Sequence, residues 1–145
     1  MYHPISILIV EDTPAFVVKI SRQLRRARLS FRARRIASKD AFVRELQCHR
    51  PDAILSNGGL PSFDGLTALA IAREKRPDVP FIFVTIAASK ESATHTNGTG
   101  ANHGALESPL SELGRALRRA LREAKKRAKL RDAELMALTS RWLAR

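Results

Sequence analysis

The sequence predicts a doubly wound α/β fold, with a parallel sheet and helices on both faces. One observation and one rule of chain connection predict it. Short apolar runs, several rich in β-branched residues, alternate along the chain with segments of 10–15 residues whose apolar positions recur at helical spacing. Right-handed crossovers between parallel strands then place helices on both sides of the sheet.

The elements follow in order. Ile5-Ser6-Ile7-Leu8-Ile9-Val10 reads as a strand buried on both faces. Asp12 or Thr13 can cap the next helix, Pro14 suits its first turn, and Phe16, Ile20, Leu24 and Ala27 form its apolar stripe. Phe31–Ile36 is a weaker strand carrying several arginines. Ser38 opens a helix with Phe42 and Leu46 facing inward, and Cys48 near its end reads as packing. Asp52–Ser56 is a third strand, ending in the turn Asn57-Gly58-Gly59. Asp64 can cap a helix bearing Leu66, Leu69 and Ala70, and Pro80–Thr85 is a fourth strand.

Beyond it the pattern breaks. Ser89–Gly100 (S-K-E-S-A-T-H-T-N-G-T-G) has one alanine, no larger apolar residue, and several poor helix formers, so a helix there would lack a face to dock. Ala101–Leu106 reads as a weak fifth strand. From Ser108, a candidate cap followed by Pro109, the pattern is helical almost to the end, with Leu110, Leu113, Leu117, Leu121 and Ala124 as the stripe. One continuous helix would run about 35 residues and about 50 Å. Half of that covers one edge of a small sheet. The expected division is therefore a domain over residues 1–124 and a basic helical extension over 125–145, a connector or dimerisation helix with Leu130, Leu135, Leu138 and Trp142 as its apolar residues.

The 145 residues, 44% hydrophobic, suit one domain of ordinary size. No apolar run is long enough to span a bilayer, and the short run before Glu11 is no secretory signal. A single cysteine, Cys48, excludes an internal disulfide and a cysteine-based metal site, and a reducing cytoplasm is the expected compartment. No histidine pair has the spacing and carboxylate support of a zinc site. The net charge of +12 attracts polyanions. Much of its excess sits in Arg22–Arg35 and Arg115–Arg131; the second stretch has no recognition motif or interleaved aromatics, so solvated helix faces are expected and a nucleic-acid partner is not.

In an open parallel sheet, ligands bind beyond the carboxyl ends of the strands. Those ends carry Glu11-Asp12, Asn57, Thr85 and Glu107. The runs Ile7-Leu8-Ile9-Val10-Glu11-Asp12, Pro51–Asn57, Leu60–Leu66, Phe81–Thr85 and Gly100-Ala101, in this order and at these spacings, resemble the receiver (CheY-like) domains of bacterial response regulators over about residues 5–124. The resemblance implies a five-stranded (βα)₅ sheet in the order 2-1-3-4-5, no enzymatic activity of its own, and a sensor histidine kinase or another signalling protein as partner. It also implies roles: an acid pair and an acceptor aspartate for Mg²⁺, a hydroxyl after the fourth strand, a lysine after the fifth, and an aromatic readout.

Glu11 and Asp12 match the acid pair and Thr85 the hydroxyl. The acceptor position holds Asn57, the lysine position Glu107 and the aromatic position Gly104, while Ser89–Gly100 stands where the fourth helix belongs. A carboxylate oxygen can attack phosphorus, whereas a neutral amide is a far poorer nucleophile. Losing one of three charges weakens Mg²⁺ binding to whatever Glu11 and Asp12 retain, so no cofactor is expected to be required. Glu107 near 4 Å from a phosphate would repel it by about 4 kcal/mol at an effective dielectric of 20. The expectation is a degenerate, phosphorylation-independent receiver acting by contact, with homodimerisation through the last helix and an output domain after Arg145 as further expectations. The rivals are a receiver that accepts phosphate at Asp12 or Ser56, and a basic nucleic-acid-binding module.

Overall fold

The computed structural model describes residues 3–11, 13–57, 63–85 and 105–144. Strands β1 (Ile5–Val10), β2 (Phe31–Ile36), β3 (Ala53–Ser56), β4 (Phe81–Thr85) and β5 (Leu106–Pro109) form one parallel sheet in the order β2-β1-β3-β4-β5. Between them run α1 (Pro14–Arg26), α2 (Lys39–Cys48) and α3 (Gly65–Lys75). A 3-10 turn at Leu110–Glu112 leads into the C-terminal helix, Leu113–Leu143. The expected topology and the long last helix are both present. The degraded Ser89–Gly100 segment lies outside the described residues.

Side-chain alternation along the strands builds two cores. Leu8, Val10, Ile54, Phe81 and Phe83 face α2 and α3, meeting Phe42, Leu46, Leu69 and Ala72. Ile7, Ile9, Leu55, Ile82 and Val84 face the other way, onto Phe16, Ile20 and Leu24 of α1 and Leu113, Leu117 and Ala120 of the C-terminal helix. The central strands are buried on both faces, which is why they read as unbroken apolar runs.

The helix starts obey local chemistry. Asp64 accepts the Thr67 N–H at 2.7 Å and Ser38 accepts the Ala41 N–H at 3.2 Å, each satisfying an amide the first turn leaves unpaired. The Thr67 N–H bond holds the Asp64 carboxyl below its ordinary range. Thr13 takes the N-cap of α1 through its backbone and makes no side-chain cap bond, with Pro14 just inside the helix. At the other end of α1, the Leu29 N–H reaches the Leu24 carbonyl and the Arg28 N–H the Arg25 carbonyl, a Schellman closure. The residue that turns left-handed there is Arg28, at φ 60°, where glycine is the usual occupant. An arginine in that conformation costs about 1 kcal/mol.

Two expectations are corrected. β5 includes Ser108 and Pro109, so Ser108 does not cap the last helix, which begins five residues later at Leu113. Pairing with β4 sets Ser108 beside Val84 and buries it, and Pro109, which has no N–H to give, falls at the strand's end. Cys48 is exposed, two positions and about 200° of helix past the inward-facing Leu46, so it lies outside the core.

The C-terminal helix docks tightly at its start. A Cβ on Gly114 would collide with the Ala27 Cβ, Arg118 Nη2 donates to the Ala27 carbonyl at 2.6 Å, and Gln23 Nε2 donates to the Leu110 carbonyl at 3.0 Å. Arg131 reaches Asp78 at 2.5 Å, below the sheet. From Leu130 onward the apolar side chains are exposed, Trp142 to 79%.

Candidate functional site

The sheet gathers the candidate residues at its carboxyl edge. Val10 pairs with Ser56 and Ser56 with Phe83, so Glu11 and Asn57 emerge side by side just beyond β1 and β3. Thr85, half-buried, closes β4 one row further out.

Glu11 is 2% exposed, a position a carboxylate tolerates only when its oxygens are satisfied. Oε1 accepts the Thr13 N–H at 3.2 Å, and Oε2 accepts the amide N–H of Asn57. An ionised carboxylate accepts only, so Asn57 must present its NH₂ group to it. The backbone of Glu11 is held as firmly. Its N–H donates to the Ile36 carbonyl at 3.0 Å, and its carbonyl accepts Arg35 Nη1 at 3.5 Å. Asn57 itself stands at the surface. Asp12 and Gly104 lie outside the described residues.

Glu107 is set deeper than the edge. It pairs with Phe83, in the row of Ser56, and faces the α2–α3 side of the sheet, with one buried carboxylate oxygen that has no hydrogen-bond partner among the described residues. The β5 residue level with Asn57 is Ser108, which sequence reasoning placed in a helix. Its hydroxyl donates to the Pro109 carbonyl at 2.9 Å. Only strand register shows this row. Residues 105–109 read A-L-E-S-P and contain neither a lysine nor an aromatic.

The described residues do not fit a Mg²⁺ centre in this arrangement. Both Glu11 oxygens carry hydrogen-bond donors, the neighbouring group is a neutral amide, and no group of three His, Cys, Asp or Glu side chains that could hold a metal occurs among the described residues. Mg²⁺ demands a nearly complete oxygen shell, which one engaged carboxylate does not begin to supply. No helix among the described residues is long and apolar enough to cross a membrane.

Comparison with known proteins agrees with the fold. Residues 7–110 match the family model of the response regulator receiver domain. No curated protein matches the chain. Among solved structures, the chain is similar to the receiver domain of a sensor histidine kinase from Pseudomonas aeruginosa that holds a magnesium ion in its active site cleft. Identity is 28%, coverage 82% of this chain and 98% of that one, and the TM-score 0.64. A CheY-like receiver domain protein from Methanospirillum hungatei shares the fold at 22% identity, covering 86% and 99%, with a TM-score of 0.67. The receiver domain of an HD domain-containing protein from Pseudomonas fluorescens does so at 19% identity, covering 89% and 95%, with a TM-score of 0.70.

Proposed function

The chain belongs to the response regulator receiver domain family, and on that premise we propose that it signals in a two-component pathway by contact, without taking a phosphoryl group. Receiver domains are signalling modules that partner with sensor histidine kinases. This one is read as a degenerate member. The observation that carries the reading is the hydrogen bond from the Asn57 amide to the buried Glu11 carboxylate. The amide nitrogen is a poor nucleophile, and its N–H occupies an oxygen of the acid that would otherwise help hold a cation. Two further features support it. No cation in residues 105–109 is available to neutralise a phosphoryl group, and Glu107 adds negative charge on that strand. Mg²⁺ is not required on this reading.

Phosphorylation at another residue is the competing reading. Ser56 is disfavoured because it is 1% exposed, in the row of Val10 and Phe83 on the core side of the sheet. Asp12 is tested directly. Incubation with Mg²⁺ and a small phosphodonor, followed by intact-mass measurement, should leave the protein unmodified, and phosphate on any residue overturns the proposal. The Asn57→Asp variant sharpens it. It sets a second carboxylate against Glu11, at a cost between about 1 kcal/mol in a water-like environment and about 4 kcal/mol at an effective dielectric of 20. Denaturant titration should show that loss in the absence of Mg²⁺ and its recovery when the ion is added. If the variant is as stable as the parent without Mg²⁺, the Asn57–Glu11 bond has no part in shaping the site.

The contact surface assigned to signalling is the exposed outer half of the last helix, where Leu135, Leu138 and Trp142 suit a second copy of the chain.

A further inference from the structure

The two basic stretches are separated by about eighty residues of sequence, and the fold brings parts of both together. α1 and the C-terminal helix cover the same face of the sheet, with Ala27 against Gly114 and Arg118 bonded to the Ala27 carbonyl. Arg22, Arg26 and Arg28, in and just after the second half of α1, therefore lie on the same side of the molecule as Arg115, Arg118 and Arg122 of the neighbouring helix, all of them exposed. Arg22–Arg35 contains seven arginines and no acid, and Arg115–Arg131 nine cations and one acid, Glu123, which Arg119 engages. Arg34 turns to the other face, onto Glu45, and takes no part.

We propose that this face binds the phosphate backbone of duplex nucleic acid without reading its sequence. Three observations choose this partner among polyanions. The cations are mostly arginine, whose planar fork pairs with phosphate oxygens in two places at once. Along the helix they run from Arg115 to Lys129, about 21 Å, the length of about six base-pair steps of 3.4 Å. The surface is also free of the side chains other partners would need. Among the described residues, Val18 is the only large apolar side chain exposed on α1, and none is exposed on the C-terminal helix before Leu130. Between Arg115 and Lys129 the helix therefore offers neither a wedge for a bilayer nor an aromatic platform for single-stranded bases.

Arg28 adds an independent sign. It holds a left-handed backbone conformation that glycine would adopt without strain, and the strain places a guanidinium at the edge of this field. A residue kept at a cost to the fold points to function.

The test uses the full chain and a fluorescent 25-base-pair duplex, titrated across salt concentrations. The Arg22→Gln/Arg122→Gln double variant should lower the slope of log affinity against log salt by about 2, one for each arginine–phosphate pairing removed. The Lys39→Gln/Arg44→Gln variant removes equal charge from α2 on the opposite face and should change the slope by less than about 0.5. Arg28→Gly should melt at a higher temperature than the parent and bind the duplex more weakly, opposite signs that a purely structural residue would not give. Circular dichroism confirms folding of each variant. Equal losses from both double variants would reduce the effect to bulk charge and overturn the proposal. So would phosphatidylglycerol vesicles bound more tightly than duplex with the same dependence on Arg22 and Arg122.

Discussion

The last helix has two halves of one regular conformation and opposite fates. From Leu113 to Ala120 it contributes Leu113, Leu117 and Ala120 to a core shared with α1, and no large apolar side chain there is exposed. From Leu130 to Leu143 the helix continues unbroken while Leu135, Leu138 and Trp142 stand in solvent. Helicity is thus a local property, carried by alanine, leucine, arginine and lysine throughout. Burial depends on what the sheet can cover. Arg131, bonded to Asp78, marks the boundary.

The sharpest way to break this comparison is in the docked half. Leu117→Ala leaves a cavity in the core that holds Ile9 and Val84 and should cost about 2–5 kcal/mol in denaturant unfolding. A loss below about 1 kcal/mol would mean that the helix is not docked as described. Gly114→Ala forces a methyl into the space of the Ala27 Cβ and separates two helices. A loss of about 1–3 kcal/mol is expected, measured the same way.

At the boundary the expected effect is smaller. The Arg131 hydrogen bond, reinforced by its charge, lowers the Asp78 carboxyl below its ordinary pKa. A carboxylate whose folded value is depressed contributes stability that is complete above its unfolded pKa and is lost as pH falls through the folded one. Asp78→Asn should therefore remove a contribution seen at neutral pH and flatten the acid limb of the stability profile. Both partners are more than one-third exposed, so screening keeps the effect under about 1 kcal/mol.

The overhanging half should respond least. Leu138→Ala, at a side chain 51% exposed, should shift stability by no more than about 0.5 kcal/mol in the isolated monomer. A larger loss that depends on protein concentration would show that a second copy covers this face. Trp142, the only tryptophan, reports the same event through a blue shift of its emission.

Much of the molecule was legible along the chain because the responsible forces act over a few residues. The apolar runs of β1, β3 and β4 specified buried strands, and Asp64 and Ser38 specified the caps of the helices they open. Where residues far apart in sequence compete, local reading stopped short. Ser108 and Pro109 have the chemistry of a helix start, yet pairing with Val84 and Thr85 makes them strand. Cys48 sits near an apolar stripe but falls on its outer side. Glu11 and Asn57 were both singled out as site residues, though nothing along the chain says that one would donate to the other.

By itself, then, the sequence determined the order and kind of most elements among the described residues, the family, and an amide rather than a carboxylate at residue 57, since each is set by residue identity and short-range periodicity. Only the tertiary structure decided that the Asn57 amide donates to a buried acid, that Ser108 rather than Glu107 shares its row, and that arginines some ninety positions apart share one surface. Those are matters of strand register and helix docking, which arise from burying apolar area between distant segments and leave no mark on either segment alone.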